Sequence, residues 1–150
     1  MKLAIDIAIL PPDHITDLCI DIGKDCKQDI TVPLNKKDNL PHITLAMGVM
    51  DNNDLKTISK KLQVILDNFD PFNLSIAELY VAKTDFGELS YGFKINKTRE
   101  LIKLQKTIIN KFSDYLSKEK SNQKMFYIKN DSEISEGAIS WVDNFCINKK

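Results

Sequence analysis

The chemistry this sequence can offer is concentrated in one segment, Pro41-His42-Ile43-Thr44-Leu45-Ala46-Met47-Gly48-Val49. An imidazole takes up and returns a proton near neutral pH. A hydroxyl donates to a phosphoryl oxygen. Residues two apart on an extended strand share a face. His42, Thr44, Ala46 and Gly48 are therefore expected on one side, and Ile43, Leu45, Met47 and Val49 on the other. The first side sets an imidazole beside a hydroxyl, with small residues beyond them that leave room for a ligand. The second is the expected packing face. An ordinary sheet histidine would share the bare triplet. The preceding proline, the unbroken alternation and the small-residue side favour the functional reading.

A second His-x-Thr triplet, His14-Ile15-Thr16, reads differently. The apolar residues after it recur three and four apart, so it is expected on the first turn of a helix, where the two side chains do not share a strand face. Three further side chains are secondary candidates. Asp6, between Ala4 and Ala8 on the polar side of the first strand, is expected to be exposed or to line the His42 cleft. Tyr91 is a substrate-binding candidate by stacking on a nucleobase, and Lys94 by steering a phosphate. Core packing for the tyrosine and solvation for the lysine are the competing expectations.

The elements that must position these groups follow from hydrophobic periodicity. Leu3, Ile5, Ile7 and Ile9 alternate with Ala4, Asp6 and Ala8, a half-buried strand ended by Pro11-Pro12. Asp13 begins a helix with Ile15, Leu18, Cys19 and Ile22 at helical spacing and Gly23 inside or near its end. Residues 30–34 suggest an edge strand or bulge, and 40–50 is the strongest strand. Asp51 or Asn53 is placed to cap a helix with the stripe Leu55, Ile58, Leu62, Ile65, Leu66 and Phe69. Strands over 72–81 and 88–95 are expected around a turn at Asp85-Phe86-Gly87. Thr98 starts a third helix. A short strand over 125–128 precedes a last helix over 132–145, whose stripe of Ala138, Trp141, Val142 and Phe145 is expected in the core. The resulting order, β-α-β-β-α-β-β-α-β-α, is that of an α+β protein with mostly antiparallel sheets covered by helices.

Composition narrows the classes further. A chain of 150 residues suits one compact domain. Lys plus Arg and Asp plus Glu both total 21, so any nucleic-acid contact must come from a local patch, not a global field. The longest apolar stretch, Leu3 to Leu10, is too short to span a bilayer and lacks the features of a secretory signal. The cysteines, Cys19, Cys26 and Cys146, are odd in number and have no metal-ligand spacing, which suggests free thiols in a reducing cytoplasm. Cys19 and Cys26 are expected on one helix face as small hydrophobes. No Gly-rich phosphate loop follows any strand, which disfavours Rossmann and P-loop enzymes.

The segment Leu40-Pro41-His42-Ile43-Thr44-Leu45 resembles the first motif of the 2H phosphoesterases, the superfamily of 2'-5' RNA ligase-like proteins and cyclic phosphodiesterases. The opening strand followed by Pro11-Pro12 and a helix is similar to that family's start, as is the helix beginning near Asp51. The resemblance implies a LigT-like bilobal fold in which two His-x-Thr strands line a shared cleft. One histidine would activate water or a hydroxyl and the other would protonate the leaving oxygen. The threonines would hold the phosphate, and no metal or cofactor would be needed. His42 and Thr44 match the first motif. No second motif is present. The segment 139–145 resembles the helix that leads into it, and the chain reaches Lys149-Lys150 where that strand is expected. The sequence therefore suggests a fold lacking its C-terminal strand, with an exposed sheet edge open to a partner strand or to a homodimer.

The expected function is that of a phosphoesterase or ligase-like enzyme acting on a 2',3'-cyclic phosphate or 2'-5' phosphodiester of RNA or nucleotides. The competing expectations are a catalytically impaired nucleotide or RNA binder and a protein-interaction module. Absence of one member of an acid–base pair costs about 10²–10⁴-fold in rate, which weighs toward the latter two.

Overall fold

A computed structural model describes residues 1–25, 30–37, 39–83, 85–117, 119–127 and 133–147, the side chains of Cys146 and Ile147 excepted. In chain order the elements are β1 (Lys2–Ile9), α1 (Asp13–Asp25), β2 (Ile43–Asp51), α2 (Leu55–Leu66), β3 (Ile76–Lys83), β4 (Leu89–Ile95), α3 (Arg99–Phe112) and α4 (Glu136–Ile147). Two 3-10 turns, Asn52–Asp54 and Gln123–Met125, complete them. The protein is thus mixed α+β, with two two-stranded sheets, β1-β2 and β3-β4, among the described residues. No described helix is long and apolar enough to cross a membrane. The chain divides into two compact units, each assembled from separated stretches. The first comprises Met1–Ile7, Thr44–Asn73 and Lys97–Lys150, and the second Ala8–Ile43 and Leu74–Asn96.

In the first unit, β1 and β2 run antiparallel. Asn52 N donates to Met1 O at one end, and Thr44 Oγ1 donates to Asp6 Oδ2 toward the other. On the far side of β2, Ser117 N donates to Val49 O at 2.7 Å. With neighbours on both edges, β2 is covered on both faces from Leu45 to Met50. This corrects the expected open small-residue side: Ala46 is 0 % exposed and Gly48 is buried. Small residues in a strand flanked on both edges allow neighbours to close onto the backbone, so they fill with protein and leave no open floor.

The helices of this unit follow their caps. The Asp51 side chain accepts from Asn53 N and opens the 3-10 turn ahead of α2. Ile58 is the buried anchor of α2, whereas Leu55 and Leu66, expected in its apolar stripe, are exposed at its ends. Thr98 Oγ1 accepts from Leu101 N at 3.1 Å, the N-cap of α3, whose buried line is Leu101, Leu104, Ile108 and Phe112. Thr98→Ala is expected to lower unfolding free energy by about 1 kcal/mol, read from denaturant midpoints at unchanged m-value. Lys61 of α2 lies over the Tyr115 ring just beyond the end of α3, and Lys103 of α3 lies over the Phe69 ring just beyond the end of α2.

Three expectations fail in this unit. Residues 125–127 form no strand. Asn122 caps a 3-10 turn that ends at Met125, and Ile128 lies outside the described residues. Four apolar residues in a row specify burial without specifying period. Trp141, expected in the core, is 57 % exposed, and Ala138 is exposed with it, while Val142 on the same helix is buried. α4 begins at Glu136, after non-helical residues 133–135, whereas the helix was expected from about Ser132, which lies outside the described residues. The turn before it is anchored by Ser121, whose N and Oγ both donate to Asp143 Oδ1.

In the second unit, α1 meets β4 through a glycine. A Cβ built at Gly23 would lie 1.5 Å from Tyr91 Oη and 1.8 Å from its Cζ. Gly23 lies inside α1 near its last described turn, as expected, and serves close approach there. The buried line of α1 is Thr16, Cys19 and Gly23, so the expected stripe is rotated and Leu18 is exposed. Burial pushes the Cys19 thiol above its usual range, consistent with a packing role. Cys26 lies outside the described residues, as does the Cys146 side chain.

β3 and β4 pair antiparallel with Tyr80 opposite Gly92, Val81 opposite Tyr91 and Glu78 opposite Lys94. The turn between them is closed at Gly87, whose φ of 84° favours glycine. β3 begins at Ile76, later than the expected residue 72, and is exposed along nearly its whole length. Of the edge strand or bulge expected over 30–34, no regular strand forms, and the pairing with β4 is the two-to-one kind typical of a bulge. Thr31 N and Val32 N both donate to the single acceptor Leu89 O, and Pro33 has no N–H with which to continue a ladder.

Candidate functional site

His42 stands immediately before β2, not on it, because the strand starts at Ile43 rather than at the expected residue 40. Pro41 is buried and cannot donate to a ladder, which delays strand pairing. The His42 ring is exposed, and its Nδ1 lies 2.6 Å from Leu40 O. A carbonyl oxygen only accepts, so Nδ1 carries the proton in this bond. In the neutral ring the lone pair then resides on Nε2, the arrangement a general base requires. Sequence reasoning did not anticipate this bond, although the residue before a proline is extended and leaves its carbonyl available to the side chain beyond that proline.

Thr44 is the first residue of the first unit after the boundary at Ile43, and His42 belongs to the second. The Thr44 hydroxyl is half-buried and donates to Asp6 Oδ2 at 2.9 Å. Asp6 is exposed on β1. The paired strands β1 and β2 thus bring together one expected site residue, Thr44, and one secondary candidate, Asp6. A hydroxyl has one proton, so in this arrangement it serves a carboxylate and would have to rotate to serve a phosphate.

The remaining candidates go elsewhere. Tyr91 is 6 % exposed, its ring closed against Gly23 and its Oη accepting from Leu34 N at 3.4 Å. A ring held this way is part of the core of the second unit and has no face to offer a base. Lys94 projects from the opposite side of β4, where its Nζ donates to Glu78 Oε1 at 2.9 Å in an exposed ion pair. Three positions apart on one strand, Tyr91 and Lys94 cannot face a common ligand. His14 is exposed on the first turn of α1, while Thr16 is buried with its hydroxyl directed to Pro11 O at 3.4 Å.

Among the described residues, no group of three or more His, Cys, Asp or Glu side chains is placed to hold a metal ion. No family model, curated protein or solved structure matches the chain.

Proposed function

We propose that this chain is a 2H phosphoesterase-like protein with the LigT-like fold, which engages a 2',3'-cyclic phosphate or a 2'-5' phosphodiester of a nucleotide or RNA end. His42 transfers the proton and Thr44 contacts the phosphate. The observation that carries the reading is the exposed His42 ring with Nδ1 2.6 Å from the Leu40 carbonyl, a contact that calls for the proton on Nδ1 and so, in the neutral ring, leaves the lone pair on Nε2. The motif Pro41-His42-Ile43-Thr44 supports it from the sequence.

A second reading, a binder of the same ligands that does not turn them over, is favoured by Thr16. Buried and bonded to Pro11 O, it leaves His14-Ile15-Thr16 without a hydroxyl to offer as a second motif.

The test is incubation of the full chain with a 2',3'-cyclic nucleotide and with a 2'-5'-linked dinucleotide, with binding followed by calorimetry and products by phosphorus NMR. Saturable binding is expected in both readings, and ring opening in the first alone. Thr44→Val is expected to weaken binding by about 10–100-fold, the effect of losing one hydrogen bond to a charged group. Absence of binding by the wild type, or an unchanged Kd in Thr44→Val, removes the assignment.

A further inference from the structure

The hydrogen bond that engages Thr44 also sets the charge of the ligand it can hold. Thr44 Oγ1 lies 2.9 Å from Asp6 Oδ2, and both residues belong to the first unit. Asp6 comes from β1 and Thr44 from β2, so the pairing of two strands of one sheet fixes the contact. A phosphoryl oxygen accepting from this hydroxyl must compete with the carboxylate for its proton, and would then lie within a few ångströms of a negative charge.

We infer that Asp6 is a charge-selecting residue of the Thr44 site, admitting a singly charged phosphodiester in preference to a doubly charged phosphomonoester. The inference rests on the phosphate-binding reading of Thr44 proposed above. Each negative charge on the ligand meets the same carboxylate, so the repulsion scales with ligand charge. For unit charges about 5 Å apart at an exposed site, one additional charge weakens binding about fivefold. Phosphate monoesters lose their second proton near pH 6. At pH 8 a cyclic phosphodiester therefore carries one charge and the monoester formed by opening it carries two. Asp6 then weakens binding of the product about fivefold more than binding of the substrate.

The experiment measures Kd for a 2',3'-cyclic nucleotide and for the corresponding 3'-monophosphate at pH 8 and low salt, using the full chain. Wild type is compared with Asp6→Asn, which keeps an acceptor for Thr44, and with Asp6→Ala, which removes it. Both variants are expected to bind both ligands more tightly, with the monophosphate gaining about fivefold more than the cyclic compound. Added salt is expected to narrow that difference. If both ligands bind and their affinity ratio is the same in wild type and variants, the inference is overturned while the Thr44 assignment stands. If neither ligand binds wild type or variants, the phosphate-binding reading fails and this inference falls with it.

Discussion

His42→Ala is expected to slow the opening of a 2',3'-cyclic phosphate by about 10²–10⁴-fold while changing substrate Kd by no more than about threefold. The asymmetry comes from the role. A base moves a proton in the transition state and contributes little to ground-state affinity, whereas the Thr44 hydroxyl acts on affinity. His42→Asn is the sharper variant. Its side-chain amide can still donate to Leu40 O, the bond His42 makes through Nδ1, but it carries no basic nitrogen. It should therefore be as slow as alanine while retaining the local backbone conformation. Single-turnover rates with matched binding isotherms separate the two effects. Wild-type turnover by His42→Asn would reduce the ring to a structural brace and end the acid–base assignment.

Gly23→Ala is expected to be the most damaging small substitution in the second unit, costing at least about 3 kcal/mol, the upper end of the usual penalty for overpacking. The added methyl would fall 1.5 Å from Tyr91 Oη and 1.8 Å from Cζ, inside covalent distance of a buried ring. Removing the hydroxyl alone does not relieve the second contact, so Tyr91→Phe should rescue little. Tyr91→Leu vacates the space, and the double variant should recover part of the loss, a coupling visible in a double-mutant cycle. Additive losses in urea melts would mean that the helix and strand do not meet there.

These two expectations differ in how visible they were from the sequence. The strands expected over 3–10 and 40–50 form as Lys2–Ile9 and Ile43–Asp51 because each pattern is long enough for its period to emerge, and Thr98 caps where its type predicts. Met125-Phe126-Tyr127 was too short to carry a period, and the 3-10 turn won. Over residues 30–34 Pro33 was legible as an edge or bulge signal, and two N–H groups sharing one acceptor on β4 take the place of a regular ladder. Trp141 shares its helix with buried Val142, and side-chain type alone could not tell which arc of α4 faces inward.

At the site, Thr44 and Asp6 were each legible as polar residues on strands, yet their hydrogen bond depends on strand register, which no local pattern encodes. The open floor expected from Ala46 and Gly48 failed for a related reason. Small side chains signal close approach, and only the fold decides whether a ligand or another part of the protein does the approaching.

The interleaving of the two units bears on how the molecule is made. A ribosome releases β1, then α1, then β2, yet the second unit waits for residues up to Asn96 and the first for stretches beyond Lys97. Neither can mature before those stretches are made, so early helices and strands emerge without their partners. Closing contacts across such separations costs loop entropy before it returns any burial, which is the general reason that non-local pairing slows folding.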